Sequence, residues 1–192
     1  MDDFTKRLQH ILLSQEPDIR IEWDARLAAV LIPLYLHDGS WHALYTKRTD
    51  DVEDHRGQVS FPGGTLEPAD ENSESAALRE TQEEIGIDPA DVKILGRLDS
   101  LLTITQFQIV PIVGVIPWPY ELTINPMEVA SVFGVPIEWL SDPAHLETRF
   151  QEAPVSDPYG PLYTYKPYQG EVIWGATARI TRNLLRLLDL LD

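Results

Sequence analysis

The apolar positions of the chain change their period several times, and each change marks an element. Phe4, Leu8, Ile11 and Leu12 recur at helical spacing and predict a short amphipathic first helix. Residues 25–36 are almost continuously apolar and rich in Val, Leu and Ile, as expected of a buried strand. His37-Asp38-Gly39-Ser40 reads as a turn and 41–46 as the returning strand. Residues 47–57 are charged and read as a loop, after which Val59-Ser60-Phe61 is a short extended piece stopped by Pro62-Gly63-Gly64. A central helix starts at Ser73 and stops at Gly86, with Ala76, Ala77, Leu78 and Ile85 on or beside its apolar stripe.

Residues 92–105 and 107–116 read as two long strands, the second closed by Pro117-Trp118-Pro119. Residues 125–140 mix turns, a short extended piece and a helical turn, and 147–152 suggest another strand. The stretch 154–167 carries four prolines and three tyrosines and reads as a surface loop. A last short strand is expected at 171–174, with Trp174 in the core; Ile180, Leu184, Leu187, Leu188 and Leu191 then mark a terminal helix. Strands flank a few helices without regular βαβ alternation, which predicts an α+β fold with a mixed β-sheet between helices. With no repeat or linker in sight, the expectation is a single domain over 1–192 with short N-terminal and C-terminal helical extensions.

Charge sharpens the picture. Fifteen Lys plus Arg against 31 Asp plus Glu leave a formal net charge of −16, which argues against nucleic acid as a partner. It is also awkward for a phosphorylated substrate, unless divalent cations reverse the local field. No apolar run is long enough to span a membrane, and the opening Met-Asp-Asp-Phe-Thr-Lys-Arg lacks the order of a secretory signal. No membrane partner is therefore expected, and the cytoplasm is the expected location. The chain has no cysteine, which excludes disulfides and thiolate metal sites.

The candidate chemistry lies on the central helix. Glu80, Glu83 and Glu84 stand at i, i+3 and i+4 and share a face. Each like-charged neighbour pair costs a helix about 0.2–0.5 kcal/mol, and the helix dipole disfavours negative charge toward the C-terminus. A solvated acidic face normally intersperses Lys or Arg, and Arg79 is the only basic residue here. A hard divalent cation, Mg²⁺ or Mn²⁺, would offset the repulsion through the clustered carboxylate oxygens. The Gly63-Gly64 backbone can approach the same site and offer a carbonyl, which makes Gly64 a candidate ligand.

The run from Gly64 through Arg79-Glu80, Glu83-Glu84, Gly86 and Ile87 resembles the signature of the Nudix hydrolases, G-x5-E-x7-R-E-U-x-E-E-x-G-U with U a bulky aliphatic residue. Two positions depart from it: Asp70 or Glu71 occupies the upstream acidic place, and Thr81 replaces an aliphatic residue. The resemblance implies an α/β/α sandwich and a metal-dependent pyrophosphohydrolase. It further implies that Glu80 and Glu84 are the principal metal ligands, with Glu83 as a further ligand or the group that orients water. Glu80, Glu83 and Glu84 are thus the candidate catalytic residues, and Arg79 pairs with a helix carboxylate. Glu128 and Glu121 are open alternatives for the base.

Leu44-Tyr45-Thr46-Lys47-Arg48-Thr49 and His55-Arg56-Gly57-Gln58-Val59-Ser60-Phe61-Pro62-Gly63-Gly64 are similar to the segment ahead of the signature in coenzyme A pyrophosphatases of that superfamily. Residues 172–179 also resemble that subfamily. The implied substrate is coenzyme A or a related nucleotide conjugate, cleaved to 4′-phosphopantetheine and adenosine 3′,5′-bisphosphate. Lys47, Arg48 and Arg56 form a basic island suited to phosphate contact, although a mixed-charge loop is the plainer reading. His55 is either an acid–base group or a loop histidine with a local hydrogen bond. Tyr159, Tyr163, Tyr165 and Tyr168 either contact the substrate or pin a loop to the core. Thr177 is expected to cap the last helix. ADP-ribose or a dinucleotide is the alternative substrate, and a non-catalytic ligand sensor the alternative class.

Overall fold

A computed structural model describes residues 2–15, 24–49, 57–149 and 161–191. The expected apolar run is strand β1, Arg26–His37. Ala29, Leu31 and Tyr35 join one apolar cluster, while Ile32 and Leu34 join another on the opposite face. A strand covered on both faces leaves little place for polar side chains, which explains its unbroken hydrophobicity. Asp38 and Gly39 take φ of 49° and 79°, as a tight hairpin turn requires. Strand β2, Ser40–Arg48, then returns antiparallel with Ala43 opposite Leu34.

Past that pair the hairpin splays, and a later segment is wedged into it. Strand β3, Val59–Ser60, pairs with the end of β2, while β4, Gly63–Thr65, pairs with the first half of β1. The Pro62 carbonyl between them accepts from Leu31 N–H at 2.9 Å. Pro62-Gly63-Gly64 is thus more than a stop, because its glycines form a strand. Gly63 has φ 149°, and a side chain there would run into the Ala29 carbonyl and Val30.

Strand β7, Phe107–Val115, runs parallel to β1 on its other side. The long strand expected at 92–105 is broken into β5, Lys93–Arg97, and β6, Leu101–Leu102, both antiparallel to β7. A register irregularity falls between Ile94 and Gly96 inside β5, as a bulge that bends the strand would give, and pairing resumes as far as Arg97. Strand β8, Val129–Pro136, adds to β2 and leads into a one-turn helix α3, Ile137–Leu140.

The helices cover both faces of this mixed sheet, as expected. Helix α2, Ser73–Ile85, places Ala76, Ala77 and Ile85 against Leu31, Leu44 and Ile112. Helix α1, Asp3–Ser14, and the last helix α4, Gly175–Leu187, bury Leu8, Leu12, Leu184 and Leu185 against Ile32, Tyr45 and Val113. No helix among the described residues is long and apolar enough to cross a membrane.

Two expectations near the C-terminus need correction. The stretch read as an irregular loop contains β10, Leu162–Tyr165, paired with β9, Leu146–Arg149. Tyr163 and Tyr165 alternate into the core, so burial outweighs the prolines around them. Residues 171–174 make only isolated bridges, Thr164 with Trp174 and Tyr168 with Glu171, because α4 begins at once at Gly175.

Gly63→Ala is expected to destabilise the fold by at least about 2 kcal/mol. That corresponds to a Tm lower by roughly 4–8 °C for a chain of this size, measurable by thermal unfolding; an unchanged Tm would count against the wedge.

Candidate active site

Helix α2 is phased by its start. The Asn72 side chain accepts from the N–H groups of Glu74 and Ser75 at 2.9 and 3.0 Å, and Ser75 Oγ accepts from Asn72 N–H at 3.0 Å. This closed box fixes which residues face the sheet. Ala77, Thr81 and Glu84 then fall on the buried side. Thr81, the departure from the signature, satisfies its hydroxyl by donating to the Ala77 carbonyl at 2.6 Å. Gly86 ends the helix at φ 74°.

Glu84 therefore occupies a core position, only 2% exposed. Its compensation is slight. Arg48 Nη1 stands 3.7 Å from Oε1, and the Gly63 N–H donates to Oε2 at 3.3 Å. Burial pushes this carboxyl up to about 8; Arg48 and the Gly63 amide oppose the shift, while Glu80 and Glu128 add to it. Glu80 is also raised, first by burial, against the pull of Arg79. The Gly64 backbone lies so close to Glu80 that a Cβ would overlap its carboxyl group. Glu83 is more open to solvent.

Arg79 organises this end of the helix with all five of its N–H donors. Nε and Nη2 reach the two Asp70 oxygens at 3.1 Å each. Nη1 reaches Glu80 at 3.0 Å and Glu83 at 3.2 Å, and Nη2 also reaches the Thr65 carbonyl at 3.3 Å. The upstream acidic place is thereby filled by Asp70, whose carboxyl is held below its ordinary range chiefly by the Arg79 hydrogen bond. Glu71 is exposed.

The two base candidates are separated by a loop that caps α2. The helix's last carbonyls would otherwise lack partners; here Glu84 O accepts from Asn125 N–H at 2.9 Å and Ile85 O from Thr123 N–H at 3.0 Å. Thr49 ties the same loop to the end of β2, through Glu128 O at 3.0 Å and Met127 O at 3.1 Å. Glu128 is brought within electrostatic reach of both Glu80 and Glu84, whereas Glu121 is exposed on the surface.

Among the described residues, no three acidic or histidine side chains yet converge on one point as a formed metal site. The donor set nonetheless suits a hard divalent cation. Glu80 and Glu84 are carboxylates driven toward neutrality by burial and by neighbouring acids, and an oxygen-seeking cation would relieve both effects.

Of the two described residues of the basic island, Arg48 reaches the carboxylates and Lys47 does not. Lys47 points the other way along β2 and pairs with Glu171 at 2.8 Å. Arg56, His55 and Tyr159 lie outside the described residues. Arg48 Nε is buried without a hydrogen-bond partner. A cleft of about 520 Å³ opens beside Arg48, Gly63 and Gly64. Trp174 lines it and is 42% exposed, contrary to its expected place in the core; its neighbour Ile173 takes that place. Thr177 does not cap α4 but donates to the Val59 carbonyl at 3.1 Å, fastening the helix to β3. Tyr163, Tyr165 and Tyr168 pack in or against the core. Sequence periodicity gave no sign of the cleft, because its walls come from six separate parts of the chain.

The NUDIX domain matches residues 25–156. Over 185 residues the chain is 36% identical to the Nudix hydrolase NudL of Pectobacterium atrosepticum, spanning 96% of this chain and 92% of that one. It is 41% identical over 155 residues to Nudix hydrolase 3 of Caenorhabditis elegans, spanning 78% of this chain and 64% of that one. A MutT/nudix family protein from Enterococcus faecalis superposes with a TM-score of 0.55 at 14% identity, over 98% of this chain and 70% of that one. An Ap4A hydrolase of Caenorhabditis elegans superposes with a TM-score of 0.51 at 19% identity, over 58% and 80%; both likenesses concern the fold alone. The chain belongs to the Nudix family and is a pyrophosphohydrolase. Nudix hydrolases generally use divalent metal ions and act on small nucleotide conjugates.

Two outcomes are expected. A carboxyl raised to about 8 contributes stability that is present below about 4.5 and lost as pH climbs through its folded value. In chelator, wild type should lose on the order of 3–5 kcal/mol more than Glu84→Gln between about pH 4 and pH 9, read by denaturant unfolding; parallel pH curves would refute this. Asp70→Asn should lower kcat/KM about tenfold or more, as loss of a partner that orients a ligand does, while Glu71→Gln leaves it unchanged.

Proposed function

We propose that the chain hydrolyses the pyrophosphate bond of coenzyme A and its derivatives with Mg²⁺ or Mn²⁺, releasing 4′-phosphopantetheine and adenosine 3′,5′-bisphosphate. One observation supports this reading above others. The segment similar to coenzyme A pyrophosphatases supplies the contacts of the acids: Arg48 and Gly63 touch Glu84, and Gly64 abuts Glu80. The subfamily-like residues thus form the wall across which a pyrophosphate meets the carboxylates.

In this reading Glu80 and Glu84 hold the cations, with Glu83 and the Gly64 carbonyl as further oxygen donors. The bound ions supply neutralisation of the phosphate oxygens and activation of water. Arg79 and Asp70 fix the rotamers of Glu80 and Glu83. Glu128 accepts the proton of the attacking water, whose oxygen forms the new P–O bond as the bridging P–O bond breaks. Arg48 offers its buried Nε–H to a phosphate oxygen, a group for which a guanidinium fork is well suited. Arg56 is assigned phosphate contact from the sequence alone, and Lys47 must leave Glu171 to take that part.

Purified protein with Mg²⁺ or Mn²⁺ should release adenosine 3′,5′-bisphosphate from coenzyme A, detected by product chromatography. Faster turnover of ADP-ribose would overturn the substrate while sparing the reaction class. Glu84→Gln should lower kcat by at least about a hundredfold, in line with the several kcal/mol a catalytic metal supplies.

A further inference from the structure

Three tight turns of the chain share one design. Each begins with Asp or Asn and has Pro second: Asp88-Pro89-Ala90-Asp91, Asn125-Pro126-Met127-Glu128 and Asp142-Pro143-Ala144-His145. In all three, Oδ1 of the first residue accepts from the third residue's N–H, at 2.9, 3.1 and 2.8 Å. The first carbonyl accepts from the fourth residue's N–H at 2.9, 3.1 and 2.9 Å. Asp and Asn serve equally in such a turn, because it needs only the side-chain oxygen. Two of the three turns use Asp. The one beside the carboxylate site uses Asn.

What asparagine adds is a donor. The Met127 N–H can only donate, so Oδ1 must face it, and the amide NH2 is left for another partner. It finds one in the fourth residue, where Asn125 Nδ2 donates to Glu128 Oε1 at 3.2 Å. That direction belongs to the turn: Asp142 Oδ2 likewise faces its fourth residue, 4.0 Å from His145 Nε2. The backbone of Asn125 goes into building the loop. Its N–H donates to the Glu84 carbonyl at 2.9 Å, and its own carbonyl accepts from Glu128 and Val129 N–H at 3.1 and 2.9 Å. The Nδ2 bond is the one contact of Asn125 that the turn does not require. It restrains a carboxyl that stands within electrostatic reach of Glu80 and Glu84.

We infer that Asn125 is a positioning residue for the reaction: its amide fixes Oε1 of Glu128 so that Oε2 meets the attacking water. The inference rests on the pyrophosphatase reading, in which Glu128 accepts the proton of that water. An Asp here, sufficient for the other two turns, builds the loop and fails the chemistry. It lacks the donor and sets a second carboxylate against Glu128.

The test compares Asn125→Ser and Asn125→Asp in the full chain with Mg²⁺, on whichever of coenzyme A, ADP-ribose and a dinucleoside polyphosphate is cleaved fastest. Ser keeps an oxygen for the Met127 N–H and removes the amide without adding charge. Both variants should keep a Tm near that of wild type and lower kcat about tenfold or more, as loss of an orienting partner does, with KM unchanged. Glu128→Gln should lower kcat by about a hundredfold or more, and adding Asn125→Ser to it should cost less than about threefold further. A slow Asn125→Asp beside a fully active Asn125→Ser overturns the inference, since the amide then serves only to avoid a charge. An equal Asn125→Ser loss in both backgrounds places the effect in the loop and overturns it too, while Glu128 keeps its role. If Asn125→Ser alone loses Tm, Asn125→Asp in the two backgrounds decides by the same comparison, because Asp88 and Asp142 show that Asp makes the turn. If Glu128→Gln turns over at the wild-type rate, the proton acceptor lies elsewhere, and the inference falls with that part of the reading while metal-dependent cleavage stands.

Discussion

Glu84 has been taken almost wholly out of water, and what surrounds it does little to make that comfortable. One arginine nitrogen at 3.7 Å and one amide at 3.3 Å face a carboxyl that burial drives up to about 8. A leucine at the same helical position would pack without such a penalty, so the acid persists against the local preference of the fold. Strain of this kind gathers where a ligand is meant to complete the environment. The neighbouring acids deepen it, since Glu80 and Glu128 both disfavour a charge on Glu84. The rest of the site can be understood as the apparatus that keeps this group in place and approachable.

That apparatus begins with the open hairpin. Because β1 and β2 part after a few residues, the β3–β4 segment pairs with each of them in turn. Its two glycines then stand where backbone, rather than side chain, meets the acids. Only residues without a Cβ permit that approach, at Gly63 for reasons of φ and clash with β1, and at Gly64 because Glu80 occupies the space. Arg79 works from the helix itself, spending every donor on carboxylates and on the Thr65 carbonyl at the end of β4. The helix is thus fastened to the wedge by its own guanidinium.

Much of this was legible in the amino-acid order, and the reasons are local. The α2 boundaries follow from Ser73 and Gly86, and the first hairpin from its apolar run and Asp38-Gly39, because caps and tight turns are decided by a few adjacent residues. The carboxylate cluster was visible as three acids at helical spacing. What remained hidden depends on contacts between distant segments. Whether Asp70 or Glu71 met Arg79 turned on the path of a loop. The break between β5 and β6 and the pairing of β9 with β10 are matters of register with partners far away in sequence. Trp174 looked like core because it is large and apolar, but its neighbour Ile173 points inward and leaves it on the cleft.

The loop that bonds to the last carbonyls of α2 has a mechanical meaning. Asn125 and Thr123 hang from Glu84 and Ile85 by their amides, and the loop's other side is hooked to Thr49. Glu128 is consequently tied by main-chain hydrogen bonds both to the end of α2 that carries Glu84 and to the end of β2 that carries Arg48. Breathing of the helix against the sheet would pull on this loop from both of its ends. The loop is a strut between helix and strand, and Glu128 sits where any relative shift of Glu84 and Arg48 is shared out.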